Sequence, residues 1–294
     1  MIVACSQRAC ALTGRVRQVF RGENIRMQLR FRIAPLSVAL MLVALPASAQ
    51  SLSEPATGET YHFEVGGALF TPTPTLFITS EGLGIPGDEI DFVKEFSLEN
   101  QTFKQLRLVG RPGRKHKFRY EFIPIRYEKE ATITRSIVFN GQRYNVSVPV
   151  DAELTWNAMR FSYEYDFVYQ DRGYVGLVLD LKYTDVEAAL TNVIVGREFA
   201  HAQAPIPAVG GTGRIYVAPN ISITGEFTLF KLPESFNEDY QASYYDFDLY
   251  GTLNFNNHIG VQGGWRRLSV FYKIEEDTGQ MKLKGLYFGA VARF

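Results

Sequence analysis

The stretch YYDFDLYGTLNF, residues 244–255, changes chemistry at every second position and sets the fold class. Its odd-numbered positions are apolar or glycine and comprise Tyr245, Phe247, Leu249, Gly251, Leu253 and Phe255. Its even-numbered positions are polar or amphipathic and comprise Tyr244, Asp246, Asp248, Tyr250, Thr252 and Asn254. A period of two predicts a β-strand with one apolar and one polar face. Soluble sandwiches and membrane barrels both contain such strands, so this pattern leaves both alternatives open.

The same alternation recurs after residue 50, for example in 175–183 and 221–229. No apolar run in that part approaches the roughly twenty residues that a membrane helix needs. Ten strands are predicted, near residues 60–70, 103–111, 117–139, 142–167, 174–187, 212–218, 221–231, 241–254, 259–274 and 280–294. The expected fold class is therefore all-β and antiparallel.

The predicted links between these strands alternate in length. Tight links lie at 112–113, 170–173, 219–220 and 256–258, whereas the others include the long segments 71–102 and 188–211. Short turns at one end and longer loops at the other favour a transmembrane up-and-down β-barrel. Asn140-Gly141 is a strong hairpin signal on the loop side. Its flanking segments are longer than the roughly nine to eleven residues that span a bilayer, so we expect it to project beyond the membrane, with eight or twelve strands as alternatives.

The N-terminal residues have the pattern of an export signal. Within 27–49, Arg30 and Arg32 precede the apolar run 33–45, and small residues end at Ala49, where we expect cleavage. Residues 1–26 are interpreted as a mis-assigned extension, 50–59 as a linker and 60–294 as the barrel. The two cysteines, Cys5 and Cys10, precede the cleavage site, which suits export through an oxidising compartment.

The charge balance argues against a nucleic-acid partner. The chain has 31 basic and 31 acidic residues, and residues 1–49 contain seven of the bases and one of the acids. Subtraction leaves 24 basic and 30 acidic residues, a net charge of about −6, beyond residue 49. Such an acidic balance repels a phosphate backbone.

The last predicted strand ends in GLYFGAVARF, residues 285–294, with Leu286, Phe288 and Phe294 on one side. With the signal peptide, the cysteine-free chain beyond it and the alternating strands, this ending resembles the Gram-negative outer-membrane β-barrel proteins. The resemblance covers roughly residues 60–294 and identifies no subfamily. It implies location in the cell outer membrane, contact with its lipid and lipopolysaccharide, and recognition of these three residues by the barrel-assembly machinery. A monomer is expected, with its last strand paired to its first.

Alternation assigns one set of charged side chains to the interior. The predicted charge network comprises Glu64, Arg107, Arg119, Glu121, Arg160, Glu164, Asp180, Lys182, Arg214, Glu226, Asp246 and Asp248. Arg111, Asp166 and Arg266 share that face, which gives eight acids and seven bases. An ion-selective pore would favour one sign, so we expect a lumen largely plugged by balanced charges.

Two irregular features interrupt this pattern. The alternation loses its phase near Pro124, Trp156 and Arg266-Arg267, which predicts β-bulges there. The stretch PGDEIDFVKEF, residues 86–96, predicts a short helix with Asp88 as its N-cap. Such a helix would either cover the barrel mouth or pack its own apolar side chains within the loop, and both alternatives stay open.

Lys282 and Lys284 share the expected lipid-facing side with Phe294. Ten residues separate Lys284 from Phe294, which is about 33 Å of extended strand. A tilt of roughly 35–45° reduces this to about 23–27 Å across the membrane, which matches the apolar band of about 25 Å. We expect both lysines at the outer interface, where they contact lipopolysaccharide or extend into water.

Few residues point to catalysis. Beyond the signal peptide the histidines are His62, His116, His201 and His258. Their spacing matches no metal site or triad, so we predict no metal, no cofactor and no catalytic residue. Asp246 and Asp248 could form a carboxylate pair of raised pKa, or be answered by arginines across the lumen. The expected function is structural, binding or a narrow channel; the alternative is a hydrolase at the loop end, which a cluster of His201 with carboxylates or a serine would favour.

Overall fold

The computed structural model describes residues 56–81, 85, 87–194, 196–233, 240–274 and 277–294. The predicted N-terminal extension, signal peptide and cleavage site lie outside these residues. The described elements are β1 (Phe63–Thr79), β2 (Ile90–Asp91), α1 (Phe92–Glu95), β3 (Phe103–Gly113), β4 (His116–Thr132), β5 (Ile137–Phe139), β6 (Gln142–Tyr144), β7 (Pro149–Gln170), β8 (Gly173–Asn192), β9 (Gly196–Ala218), β10 (Ile221–Lys231), β11 (Tyr240–Asn254), β12 (Ile259–Ile274) and β13 (Asp277–Arg293).

Ten of these strands form a closed antiparallel barrel, which confirms the predicted fold class and strand number. Neighbours follow the order β1, β3, β4, β7, β8, β9, β10, β11, β12 and β13, and β13 pairs with β1 to close the sheet. At the seam, the Phe294 backbone N–H donates to the Phe63 carbonyl at 2.8 Å, and the His62 N–H donates to the Phe294 carbonyl at 2.8 Å. Closure leaves the first and last strands without a free edge.

The exterior of the barrel is apolar. Leu177 and Leu179 on β8 are 55% and 57% exposed, and Leu286 and Phe288 on β13 are 68% and 65% exposed. Their neighbours along each strand point inward and are buried, so the exposed apolar residues form a band around the sheet. Such a band is typical of a surface that faces lipid. No helix among the described residues is both long and apolar enough to cross a membrane.

Two strands are longer than predicted, and both extensions contain proline. β1 continues to Thr79 through Pro72 and Pro74, and β9 begins at Gly196, before Pro205 and Pro207. Beyond Phe70, β1 has no β3 partner, and β9 residues 196–208 pair with β8 alone among the described residues. Proline lacks an N–H and is tolerated at such edges. The predicted loops 71–102 and 188–211 were therefore too long, because β1 and β9 each continue as strand into these segments.

The predicted hairpin at Asn140-Gly141 forms, but it does not extend two barrel strands. Asn140 and Gly141 have positive φ angles of 49° and 76°, as the turn requires. The chain leaves the barrel after β4 and returns at β7, and β5 and β6 make a separate two-stranded sheet. Ile137 and Phe139 are fully buried, so the hairpin is held by its own apolar side chains.

The predicted helix also forms, at a different position. It spans only Phe92–Glu95, and its N-cap is Asp91, whose side chain accepts from the Lys94 N–H at 3.2 Å. Asp88, the predicted cap, instead accepts from the Val138 N–H at 2.8 Å and ties this segment to the β5–β6 hairpin. The Asp88 carboxylate therefore binds a backbone N–H of the hairpin instead of capping the helix, and the local sequence gave no sign of this partner.

The predicted β-bulges at Pro124, Trp156 and Arg266 are absent from the described ladders, which continue unbroken through all three positions. Register shifts lie elsewhere, next to Gly110, Asp166 and Ile221, near the tight turns. The side chains keep their alternation, but the interior changes from charged to apolar along β4, β7 and β12. An apolar interior residue was therefore mistaken for a change of face.

We predict a depth-dependent cost of charge on the outer face of β13. Phe288→Lys should lower the unfolding free energy by about 2–4 kcal/mol, because Phe288 lies near the middle of the apolar band. Leu286→Lys, one step nearer Lys284, should cost less but measurably. Denaturant unfolding in lipid vesicles measures both, with Phe255→Lys at the turn end as a control costing about 0–1 kcal/mol. Unchanged stability in both β13 variants would mean that this face does not contact lipid.

Candidate functional site

The lumen is divided along its length into a charged half and an apolar half. On β4, the inward residues nearest the tight turns are Lys117, Arg119 and Glu121, and those that follow are Ile123 and Ile125. β7, β8, β11, β12 and β13 show a similar division, with most of the buried apolar residues nearer the loops, although Val178 and Val291 lie toward the turn end. The interior chemistry therefore depends on height in the barrel.

The charged half contains one continuous path of ion pairs, here called the charge belt. In order it runs through Asp248, Arg107, Glu121, Arg266, Asp246, Lys182, Asp180, Arg160, Glu226, Arg119, Glu164, Lys117 and Asp166. These side chains come from seven strands and cross the lumen, and each is at most 10% exposed. Buried charges persist only when they are paired and hydrogen-bonded in this way.

The structure places two further residues of the predicted network, Glu64 and Arg214, outside this path. Glu64 pairs with Arg293 at 2.5 Å, and Arg214 pairs with Glu59 at 2.8 Å. Glu59 also pairs with Arg111 at 3.2 Å, so it connects two strands at the turn end. All the residues of the predicted network thus lie in the lumen in ion pairs.

Sequence reasoning missed three interior charges. Lys117 and Arg293 have the parity of their inward neighbours, so alternation could have found them. Glu59 precedes β1 and had no strand pattern to reveal it. With them, the described lumen holds nine acids and nine bases rather than eight and seven.

Glu59 lies outside the membrane-spanning strands, and its ionisation is set by its partners. Burial alone would raise the pKa of its carboxyl, but Arg214 and Lys117, with Arg111, outweigh burial and lower the pKa to about 2. Tyr216 donates a further hydrogen bond to Glu59 at 2.8 Å. Glu59 therefore stays ionised at the turn end of the belt. Its ion pairs with Arg111 and Arg214 hold residues 56–59 at that end of the barrel.

Asp246 and Asp248 each pair with cationic side chains, which was one of the two predicted alternatives. Arg266 and Lys182 pair with Asp246 at 2.9 and 2.7 Å. Arg107 pairs with Asp248 at 3.0 Å, and Tyr287 donates to it at 2.9 Å. The two carboxylates therefore belong to the belt rather than to an isolated acid pair.

The apolar half is partly filled by two segments, one between β1 and β3 and one between β4 and β7. The cap, defined as β2, α1 and the β5–β6 hairpin, buries Ile90, Phe92, Phe96, Phe139 and Tyr144. These residues pack in one apolar cluster with inward side chains of β4 and β7. The described part of the 86–96 stretch thus packs its apolar side chains, as one of the two alternatives predicted.

The histidines are dispersed, with one specific pairing. His201 Nε2 lies 2.7 Å from Asp185 Oδ1 at the loop-end rim, where the side chains are 42% and 29% exposed. Glu187 lies opposite His201 on β8 and pairs with Arg197 at 2.6 Å. The described residues contain no group of three or more His, Cys, Asp or Glu side chains arranged to hold a metal ion.

The remaining predicted residues lie on the outer face of β13. Lys284, Leu286 and Phe288 are exposed there, and Lys282 is half-buried with Nζ 3.2 Å from Gln280 Oε1. Phe294 is 70% exposed at the turn end. Arg267 of β12 is the register partner of Lys284, and sequence reasoning did not single it out.

Comparison with solved structures places the fold among outer-membrane β-barrels. The outer-membrane protease OmpT of Escherichia coli is similar at 9% identity, covering 83% of this chain and 100% of that one, with a TM-score of 0.50. Ail, the attachment invasion locus protein of Yersinia pestis, matches at 11% identity, 79% and 99% coverage and a TM-score of 0.35. The toluene transporter TodX of Pseudomonas putida matches at 8% identity, 84% and 94% coverage and a TM-score of 0.34.

No protein-family model matches the chain, and comparison with curated protein sequences finds no match. The likeness to OmpT shows the fold alone, because the identity is 9%. The class that the fold defines is the outer-membrane β-barrel, which confirms the resemblance drawn from the sequence.

We predict that the charge belt is sensitive to the loss of a single acid. Glu226→Gln leaves Arg119 and Arg160 without their shared carboxylate, and a broken buried pair typically costs about 3–5 kcal/mol of unfolding free energy. Arg126→Met is the control, since Arg126 is 59% exposed and such surface pairs contribute about 0–1 kcal/mol. Denaturant unfolding measures both. Equal costs for the two variants would show that the belt adds no more than a surface pair does.

Proposed function

We propose that this protein is an integral protein of the cell outer membrane with a structural or binding role and a lumen closed to ions. The observation that supports a closed lumen is the charge belt, whose side chains reach across the barrel and pair with one another. An interior of about eight strands is just filled by side chains, and water-filled channels come at about sixteen. Ten strands filled by paired charges and a cap therefore favour binding over conduction.

The apolar exterior and the closed sheet support the membrane location. In hydrocarbon every backbone polar group needs an internal partner, and a closed barrel supplies one wherever its strands are paired on both sides. The signal peptide at 27–49, with cleavage after Ala49, and a Gram-negative source remain part of this proposal. The short turns would face the periplasm and the cap would face outward.

Closure to ions leads to a direct prediction. The purified protein in planar bilayers should give no steady conductance, because the belt has no free charge of one sign to conduct through. The double variant Arg160→Ala/Glu226→Ala removes two belt side chains together and should raise the conductance. Arg126→Ala, outside the belt, should leave the bilayer silent. Steady current through the unaltered protein would favour the narrow channel and reject the closed lumen.

Lys282 and Lys284 are proposed to contact lipopolysaccharide, now with Arg267 beside them. Among the described acids, none forms an ion pair with Lys284 or Arg267, so their charges are available to lipid phosphate. Lys284→Glu should weaken lipopolysaccharide association several-fold in a co-purification assay. The control is Arg126→Glu, a charge reversal at a cation already paired with Glu128. Equal retention in the two variants would favour plain contact with water.

Phe294, with Leu286 and Phe288, is proposed as the assembly signal that the barrel-assembly machinery recognises. Its exposed ring at the turn end supports the proposal, since a recognised side chain must be accessible. Deletion of Phe294 should lower the inserted amount in cells, and a normal amount would reject this role.

A hydrolase remains the second candidate, and the His201–Asp185 pair is the observation that favours it. A histidine oriented by a carboxylate is one part of many acid–base sites. Hydrolysis of lipid or peptide that is lost in both His201→Asn and Asp185→Asn, but retained in His258→Asn, would establish it. No turnover by the unaltered protein would leave the binding role alone.

A further inference from the structure

A cavity of about 430 Å³ lies in the apolar half of the lumen. Its walls include inward side chains from β1, β8, β9, β12 and β13. These are Leu76, Ile78, Val186, Ile206, Val270 and Met281, each at most 9% exposed. The volume falls within the range of about 300–1,000 Å³ that is typical of small-molecule sites.

The described side chains of the cap do not line this space, although β2 of the cap pairs with β1 at Ile78 in its wall. Its residues Phe92, Phe96 and Phe139 do not line the cavity, whereas side chains of β8, β9, β11, β12 and β13 do. The apolar half thus contains a packed core under the cap and an apolar pocket beside it.

The inward-facing part of the lining carries no charge that is free for an ionic ligand. Lys182, the nearest belt cation along β8, pairs with Asp246 at 2.7 Å and with Asp180 at 3.2 Å. Its Nζ also lies 4.6 Å from the centre of the Tyr244 ring. The other inward polar groups are neutral, such as Thr184. The lining also includes His201 and Lys273, which have the outward parity of β9 and β12 and lie at the rim. A charged ligand would lose its hydration without gaining a partner.

Among the described residues, the pocket is open to the outside. Ala204 and Tyr240 line it and are exposed, Tyr240 by 40%. They stand on β9 and β11 at the height where the described residues of β10 have ended at Lys231. A ligand can therefore reach the apolar wall without passing the charge belt.

We propose that this pocket binds a neutral, hydrocarbon-rich small molecule. The inference rests on the binding role proposed above and names its site and ligand class. The inward apolar side chains shield a hydrocarbon ligand from water. The belt charges are already paired with one another, so they offer no partner to an ionised ligand.

The two tryptophans of the chain give a direct test. Trp156 is fully buried on β7 and is the cross-strand partner of Val186 in the cavity wall, whereas Trp265 faces outward from β12. Because bromine quenches indole fluorescence only at near contact, Trp265→Phe leaves a reporter of the lumen. Trp156→Phe leaves a reporter of the lipid. Bromooctane is added to each variant in lipid vesicles, and bromooctanoate serves as its charged counterpart.

Saturable quenching of Trp156 by bromooctane, with non-saturating quenching of Trp265, supports the site. Ala242→Phe fills the pocket and should raise the half-saturating concentration by about tenfold. Ala204→Phe is a second filling variant, and Ala290→Phe on the outer face of β13 should have no effect. A shift of gel mobility on heating checks that each variant is folded.

Non-saturating quenching of Trp156, or saturation untouched by both filling variants, would overturn the site. Equal saturation by bromooctanoate would overturn the ligand class. A silent bilayer without saturable quenching rejects this inference alone, whereas a conducting barrel with saturable quenching rejects only the closed lumen.

Discussion

The pairing of β13 with β1 is the constraint on which the rest of the structure depends. Sixteen register pairs join these two strands, from Glu64 with Arg293 to Thr79 with Thr278. A sheet that did not close would present a row of unpaired N–H and C=O groups, which hydrocarbon cannot satisfy. Closure at ten strands then fixes the width of the lumen, and the width decides that side chains from opposite walls can meet.

Because opposite walls meet, the charged half of the lumen can be saturated by its own partners. Arg107 of β3 reaches Asp248 of β11, and Arg266 of β12 reaches Glu121 of β4. Such contacts join opposite walls of the barrel through its polar interior. They leave little unpaired charge for ions or substrates. The chemistry left for a ligand is therefore found above the belt, in the apolar half.

The same four prolines that limit strand pairing also mark where the wall is open. Pro72 and Pro74 lie on β1 beyond its pairing with β3, and Pro205 and Pro207 lie on β9 beyond its pairing with β10. The β2 strand pairs with the end of β1, at Ile78. Beside β9, Ala204 and Ile206 line the cavity instead. Proline, which lacks a backbone N–H, thus lies in the part of β9 that has no β10 partner and lines the pocket.

The sequence by itself determined the number of barrel strands and which of their side chains face inward, because alternation depends only on the two faces of one strand. The inward placement of Asp246 and Lys182 follows from this rule, as does the exposure of Leu286. Only the tertiary structure decided that Trp156 and Ile123 lie in an apolar upper lumen, since the environment of an inward face depends on nine other strands. Tertiary contacts also placed Asp88 against Val138 and Glu59 between Arg111 and Arg214, because partners so distant in sequence leave no local pattern. The position of the cavity is likewise a tertiary property. It depends on where β10 ends relative to β9, and neither strand alone indicates this relation.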